Sequence, residues 1–125
     1  MKLDHDLVRY VLLGMEESEN ISGICEKDLL EYVAKYGDYS REKVAYTVEK
    51  LNEAKFITGN VKWASNSPMI IFPGNLTYEG HKFLDNIRDN NVWKDVKNIV
   101  STIGSASLSV ISTVAANYIS NKLGL

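Results

Sequence analysis

Apolar residues recur at helical spacing in three separate stretches of the first half of the chain. In residues 3–15, Leu3, Leu7, Val8, Val11 and Leu12 share one side, with polar residues between them. In residues 26–35 the inward positions are Leu29, Leu30 and Val33, and in residues 40–54 they are Val44, Val48 and Leu51, opposite charged side chains. Each stretch is expected to be an amphipathic helix packed by one side only. Between the first two helices, residues 21–24 read as a short extended piece. Between the second and third, Tyr36-Gly37-Asp38-Tyr39 has turn chemistry, with Gly37 suited to the left-handed conformation at a helix end and Ser40 suited to cap the next helix. Two helices joined by a short turn make a helix-turn-helix candidate.

The period then changes. Residues 56–63 and 69–72 are β-branched and aromatic runs separated by Ala64-Ser65-Asn66-Ser67-Pro68, so they are expected to form hairpin strands with a polar tip. Leu76-Thr77-Tyr78-Glu79-Gly80 precedes a helical run carrying Phe83, Leu84 and Ile87, with Thr77 as its N-cap. Asp89-Asn90-Asn91 breaks that run, and Val92-Trp93 opens another helix. The expected fold is α+β and mostly helical. It is a winged helix-turn-helix with a β-hairpin wing over residues 1–90, followed by a C-terminal helical extension over residues 91–125 that serves packing or dimerisation.

That extension carries no charged residue between 98 and 121, a length comparable to the roughly 20 apolar residues of a spanning helix. Ser101, Thr102, Ser105, Ser107, Ser109, Ser112, Thr113, Asn117 and Ser120 are too many hydroxyls and amides for lipid-facing positions, and Gly104 interrupts the run. A membrane is therefore not an expected partner. Leu108, Ile111, Ala115 and Tyr118 or Ile119 form a stripe beside small residues that permit close helix packing, so a soluble helix pair and a homodimer are expected. Trp93 and Tyr118 are of the types enriched in interface anchors, and packing of the extension onto the winged helix or a partner subunit is expected ahead of recognition of a foreign protein.

Composition adds limits. A chain of 125 residues with 45% hydrophobic and 24% charged residues fits one compact domain with an appended element and has the core to fold without a metal or disulfide. Cys25 is the only cysteine, so no intrachain disulfide forms, and the N-terminus lacks the continuous apolar run of a signal peptide. The cytoplasm is the expected compartment. Net charge is −2, with 8 basic and 12 acidic side chains in residues 1–60 against 6 and 4 in the remainder. No broad positive field is available to attract a polyanion, and any DNA-facing surface is confined to a small patch.

Within that limit, Arg41, Lys43, Tyr46, Thr47 and Lys50 are expected on or beside the outer face of the third helix, where a DNA-binding winged helix sends side chains to base edges and phosphates. Lys62, Trp63 and Asn66 around the wing are the candidates for phosphate and sugar contacts. The competing explanation is a solvated helix face, because Glu42, Glu49 and Glu53 lie on the same helix and repel phosphate. His5 and His81 are the only histidines, and with one cysteine and scattered acids they provide no metal-ligand spacing. Cys25 has no activating neighbour and reads as a small apolar helix residue. The glycines match neither a phosphate loop nor a dinucleotide fingerprint. No cofactor, metal or catalytic residue is expected, and the protein is not expected to be an enzyme.

Several segments carry a family likeness. They are Asp6-Leu7-Val8-Arg9, Leu51-Asn52-Glu53-Ala54-Lys55-Phe56-Ile57, the run from Leu76-Thr77-Tyr78-Glu79-Gly80-His81-Lys82-Phe83-Leu84 to Asp89, Val92-Trp93-Lys94, and Lys122-Leu123-Gly124-Leu125. Together they resemble a family of uncharacterised phage and prophage proteins of Gram-positive bacteria, a domain of unknown function to which YjcQ-like proteins look like cousins. The likeness covers nearly the whole chain, and the Leu-Thr-x-x-Gly-x-x-Phe-Leu run is its most specific part. It implies a winged-helix fold and a mobile-element origin, and it supplies no activity. Two functions are thus expected from the sequence: a homodimeric DNA-binding or transcription-regulatory protein acting on double-stranded DNA, or a non-enzymatic module that binds a host or phage protein and leaves DNA alone.

Overall fold

The computed structural model describes residues 1–102 and 106–124. The elements run α1 (His5–Glu17), α2 (Glu26–Ala34), α3 (Arg41–Glu53), β1 (Asn60–Ala64), β2 (Ser67–Phe72), α4 (Tyr78–Ile87), α5 (Asn90–Ser101) and α6 (Leu108–Leu123). Among the described residues the protein is α+β and mostly helical, with six helices and one antiparallel hairpin.

Local chemistry starts most of these helices. The Asp4 carboxylate accepts a hydrogen bond from the Leu7 amide at 3.0 Å, and the Ser40 hydroxyl accepts one from Lys43 at 3.1 Å. Thr77 caps α4 by accepting from the Gly80 amide at 3.1 Å, Asp89 caps α5 through the Asn91 and Val92 amides, and Ser107 caps α6 through Val110. Each satisfies a donor that the first helical turn leaves without an intrahelical partner. Two sequence expectations fail at α2. Cys25 is the extended, exposed residue that precedes the helix rather than an apolar residue within it. Gly37 is not left-handed, because α2 closes through the right-handed Lys35, whose amide donates to the Tyr32 and Val33 carbonyls. What Gly37 provides is room: a Cβ there would lie 2.9 Å from the Tyr39 ring.

The hairpin is tighter than the sequence suggests. Asn60 pairs with Phe72, Val61 with Ile71 and Lys62 with Ile70; after a bulge between Lys62 and Trp63, Trp63 faces Pro68 and Ala64 faces Ser67. The expected five-residue tip is therefore two residues, Ser65 and Asn66, with φ of 52° and 63°. Positive φ at both central positions is what a two-residue hairpin turn of matching twist requires. Residues 56–59 do not belong to β1, because their backbone turns to the segment before α4 instead. Ile57 forms an isolated bridge with Leu76, Thr58 donates to the Asn75 carbonyl, and the Phe56 carbonyl accepts from Thr77. Ile24 likewise bridges to Gly74, which is the extended piece expected over residues 21–24 reduced to a single pair. Gly59 is a true constraint here, since a Cβ would sit 2.0 Å from the Pro73 carbonyl oxygen.

The chain divides into two compact units, Met1–His81 and Lys82–Leu125, the division falling inside α4. In the first unit α1 packs on α2 and α3, and α3 packs on both hairpin strands. Leu7, Val8, Val11 and Leu12 from α1, Leu29 and Val33 from α2, and Val44, Val48 and Leu51 from α3 are fully buried, with Ile57 and Ile71 beside them in the buried set. In the second unit α5 packs on α6. Trp93, Val96 and Val100 of α5 and Leu108, Ile111 and Ala115 of α6 are buried, and α6 ends at Gly124 in the left-handed conformation. The long uncharged stretch is the end of α5 and most of α6; the Gly104 interruption lies outside the described residues. No helix among the described residues is long and apolar enough to cross a membrane.

Candidate nucleic-acid interface on α3 and the hairpin

Arg41 is the first residue of α3, and its side chain is the most heavily engaged on that helix. Nε and Nη2 donate to the two carboxylate oxygens of Glu26 at 3.0 and 2.9 Å. Nη1 donates to the Pro68 carbonyl, and Nη2 also reaches the Met69 carbonyl at 3.2 Å. The planar guanidinium thereby ties the start of α2 to the start of α3 and to β2, a use of its fixed donor fork that lysine does not reproduce. The Arg41 hydrogen bond holds the Glu26 carboxyl below its ordinary range, and Glu26 in turn raises the guanidinium.

The other cations of the helix are paired as well. Lys43 Nζ is 3.2 Å from Asp4, the residue that caps α1, and lies over the Tyr39 ring. Lys50 Nζ is 2.8 Å from Glu53, whose hydrogen bond raises the lysine pKa, and it sits 5.3 Å from the centre of the Tyr46 ring. Thr47, expected on the outer face, is instead 1% exposed, and its hydroxyl donates to the Lys43 carbonyl at 2.9 Å. It lies between Val44, Val48 and Leu51 in the helical period, so it turns inward with them. Tyr46 is half-buried.

On the hairpin, Trp63 is partly exposed and its indole donates to Glu49 of α3 at 2.6 Å. Lys62 and Asn66 are exposed, Asn66 at the turn itself. The hairpin also presents Met69 at 57% exposure and Phe72 at 50%, with Ile70 between them, an apolar set that the sequence pattern did not single out. For Ile70 and Phe72 the alternation with Ile71 is the available signal, since Ile71 faces the core and its two neighbours face away; Met69 has the parity of Ile71, and alternation does not report its exposure.

The sequence assigned no role to Asp4 and Glu26, and read Glu49 and Glu53 only as helix charges that repel phosphate. Glu53 stands three residues from Lys50 on one helix and was legible there. Asp4 and Glu26 are 39 and 15 residues from the cations they hold, and no sequence spacing reports such pairs.

The tail candidates lie together in the second unit. Trp93, Leu108, Ile111 and Ala115 are buried, and Ile119 is half-buried. The Tyr118 hydroxyl donates to Asp95 of α5, which raises its pKa, and Lys122 covers its ring. Among the described residues no group of three His, Cys, Asp or Glu side chains is placed to hold a metal ion, and His81 is exposed on α4. A separate groove is lined by Glu17, Glu19, Asp28 and Glu31 together with Tyr32 and Lys35.

Fold and site define a mostly helical α+β protein whose third helix, carrying paired cations, packs on a small hairpin. The chain belongs to the family described as hypothetical protein (DUF2513), whose model matches residues 2–107. An uncharacterized protein of Haemophilus influenzae is 30% identical over 124 residues, spanning 98% of this chain and 99% of that one. No solved structure matches the chain.

Proposed function

We propose that the protein is a winged-helix interaction module that binds another protein, of host or phage origin, and leaves duplex DNA alone. The winged-helix reading rests on the order α1, α2, short turn, α3, hairpin, and on the packing of α3 against both strands. One observation carries the choice of partner. Every cation of α3 already has a carboxylate of the same chain against it: Arg41 has Glu26, Lys43 has Asp4 and Lys50 has Glu53. A surface of that kind has little net attraction for phosphate, whereas the exposed Met69, Ile70 and Phe72 supply the apolar area that protein interfaces use. The site of action is the cytoplasm and the origin a mobile element, readings that draw on the single cysteine and on the Leu76–Leu84 likeness.

A salt titration against random-sequence duplex DNA tests this reading. No binding is expected even at low salt; affinity that falls log-linearly with salt would overturn it.

A second reading has its own support. Lys62 and Asn66 stand exposed on the hairpin, where a wing touches backbone phosphate, and this favours a homodimeric DNA-binding regulator that docks through Arg41, Lys43, Tyr46 and Lys50 with Trp63 at the rim. If duplex binding is found, Lys62→Ala must weaken it for this reading to stand.

A further inference from the structure

We infer that the outer edge of β1 pairs with an extended segment of a partner protein that sets a carboxylate opposite Lys62. The inference rests on the reading of this chain as a protein-binding module, and it names the chemistry of the partner at the hairpin.

The two-stranded sheet has two outer edges, and the chain closes only one of them. On β2, the Pro68 and Met69 carbonyls accept from Arg41, and the Ile71 amide is turned to the Glu26 carboxylate, whose pKa it helps to lower. On the other side, Asn52 donates to the Gly59 carbonyl at 2.5 Å just before β1 begins. Past that point no backbone group on the outer edge of β1 has a partner among the described residues. Alternation identifies the open groups. Ile71 and Pro68 point their backbone away from β1, so their cross-strand partners Val61 and Trp63 point theirs away from β2. Met69 is the extra residue of the bulge, so β1 keeps its alternation throughout. Val61 and Trp63 therefore offer N–H and C=O groups at two-residue spacing, a pattern that another extended chain satisfies.

The side chains decide which chain. A strand added at this edge hydrogen-bonds to Val61 and Trp63 and leaves Lys62 in a non-hydrogen-bonded pair, where opposed side chains come closest. Lys62 is exposed on the outward face with its cross-strand neighbour Ile70. Unlike Arg41, Lys43 and Lys50, it is paired with no carboxylate among the described residues. A carboxylate opposite it is favourable. A second copy of this chain is not, because the antiparallel register that pairs all of β1 with itself is centred on Lys62 and sets two lysines face to face. On either side of its acid the partner presents apolar residues, since Val61 and Trp63 turn to the α3 side, where Trp63 meets Glu49 and is still 40% exposed.

The test uses a labelled peptide with blocked ends, Thr-Thr-Val-Glu-Val-Thr-Thr, and three relatives: one with Lys in place of Glu, one N-methylated on both Val amides, and one N-methylated on the Glu amide alone. Binding to the full chain is followed by fluorescence anisotropy into the millimolar range, and exchange of the Val61 and Trp63 amides by NMR. The Glu peptide is expected to bind saturably, to slow exchange at both amides, and to bind tighter than the Lys peptide by about fivefold or more. Lys62→Glu should reverse that order. Methylation of the Val amides, which face β1, should abolish binding, and methylation of the Glu amide, which faces away, should not. Should Lys62→Glu not fold, as judged by circular dichroism, Lys62→Gln replaces it, and the Glu and Lys peptides should then bind equally.

Absence of saturable binding, binding indifferent to methylation of the Val amides, or an unchanged order in the Lys62 variant would each overturn the inference. So would a dimer of the unaltered chain with both amides protected before peptide is added, since the edge would then belong to a second copy. Titration with duplex DNA decides the proposed function separately. Binding of neither duplex nor peptide overturns the edge alone, whereas binding of both overturns the proposed function and leaves the edge supported.

Discussion

Single residues carry several of the decisive constraints, and the clearest are backbone constraints. A Cβ at position 59 would meet the Pro73 carbonyl oxygen at 2.0 Å and the Phe72 carbonyl oxygen at 2.2 Å, both backbone atoms that cannot rotate away. Gly59→Ala is therefore expected to destabilise the protein by about 1–3 kcal/mol in urea unfolding, as overpacking does. At the hairpin turn Asn66 holds φ at 63°, a conformation that costs an ordinary L-residue about 1–2 kcal/mol and a β-branched one at least as much. Asn66→Val should lower stability by about that amount, and Asn66→Gly should not lower it. The Glu26 carboxyl is held below 4.5, chiefly by its hydrogen bond from Arg41. A depressed acid contributes stability that is complete above its unfolded value and lost as pH falls through the folded one. Glu26→Gln should accordingly melt below the unaltered protein at neutral pH, and the gap should close on acidification below 4.5.

Elements were legible to different degrees, for reasons that can be named. Helices α1, α2 and α3 follow directly from their apolar spacing, and Ser40 and Thr77 cap where their side chains suggest. Asp89, read as part of a break, caps α5 through two amides, so the break and the cap are one feature. Asp89→Ala should cost about 1 kcal/mol in thermal unfolding, and Asp89→Ser less. The strands were misplaced because β-branched and aromatic content does not report pairing. Phe56 and Ile57 have strand-like side chains, but Thr77 and Leu76 pair with their backbone, and the small Ala64 and Ser67 pair with each other across the turn. In the tail, the Leu108, Ile111 and Ala115 stripe was visible as a stripe and a helix pair was expected, and α5 does pack on α6; that Val96 and Val100 are buried there with Trp93 was not visible.

For the molecule as a whole, the stripe on α6 bears on oligomeric state. Its members Leu108, Ile111 and Ala115 are buried within a single chain, and the hydroxyl of the half-buried Tyr118 is engaged by Asp95. Light scattering on the full chain should therefore return the mass of one chain, and twice that mass would favour the homodimeric regulator. The overall charge of −2 by itself points away from avid polyanion binding. It does so only as an average, since an average is equally compatible with one basic face and one acidic face.

Periodicity, capping residues and turn chemistry act between residues a few positions apart, so the chain alone determined which segments are helical, that a hairpin follows the third helix, and that the tail is a helix pair. Whether the cations of α3 face solvent bare or covered was decided by tertiary structure. Arg41 meets Glu26, and Lys43 meets Asp4, only because α1 and α2 pack close to the start of α3. A charge pair acts over a few ångströms of space, whatever the number of residues between its members.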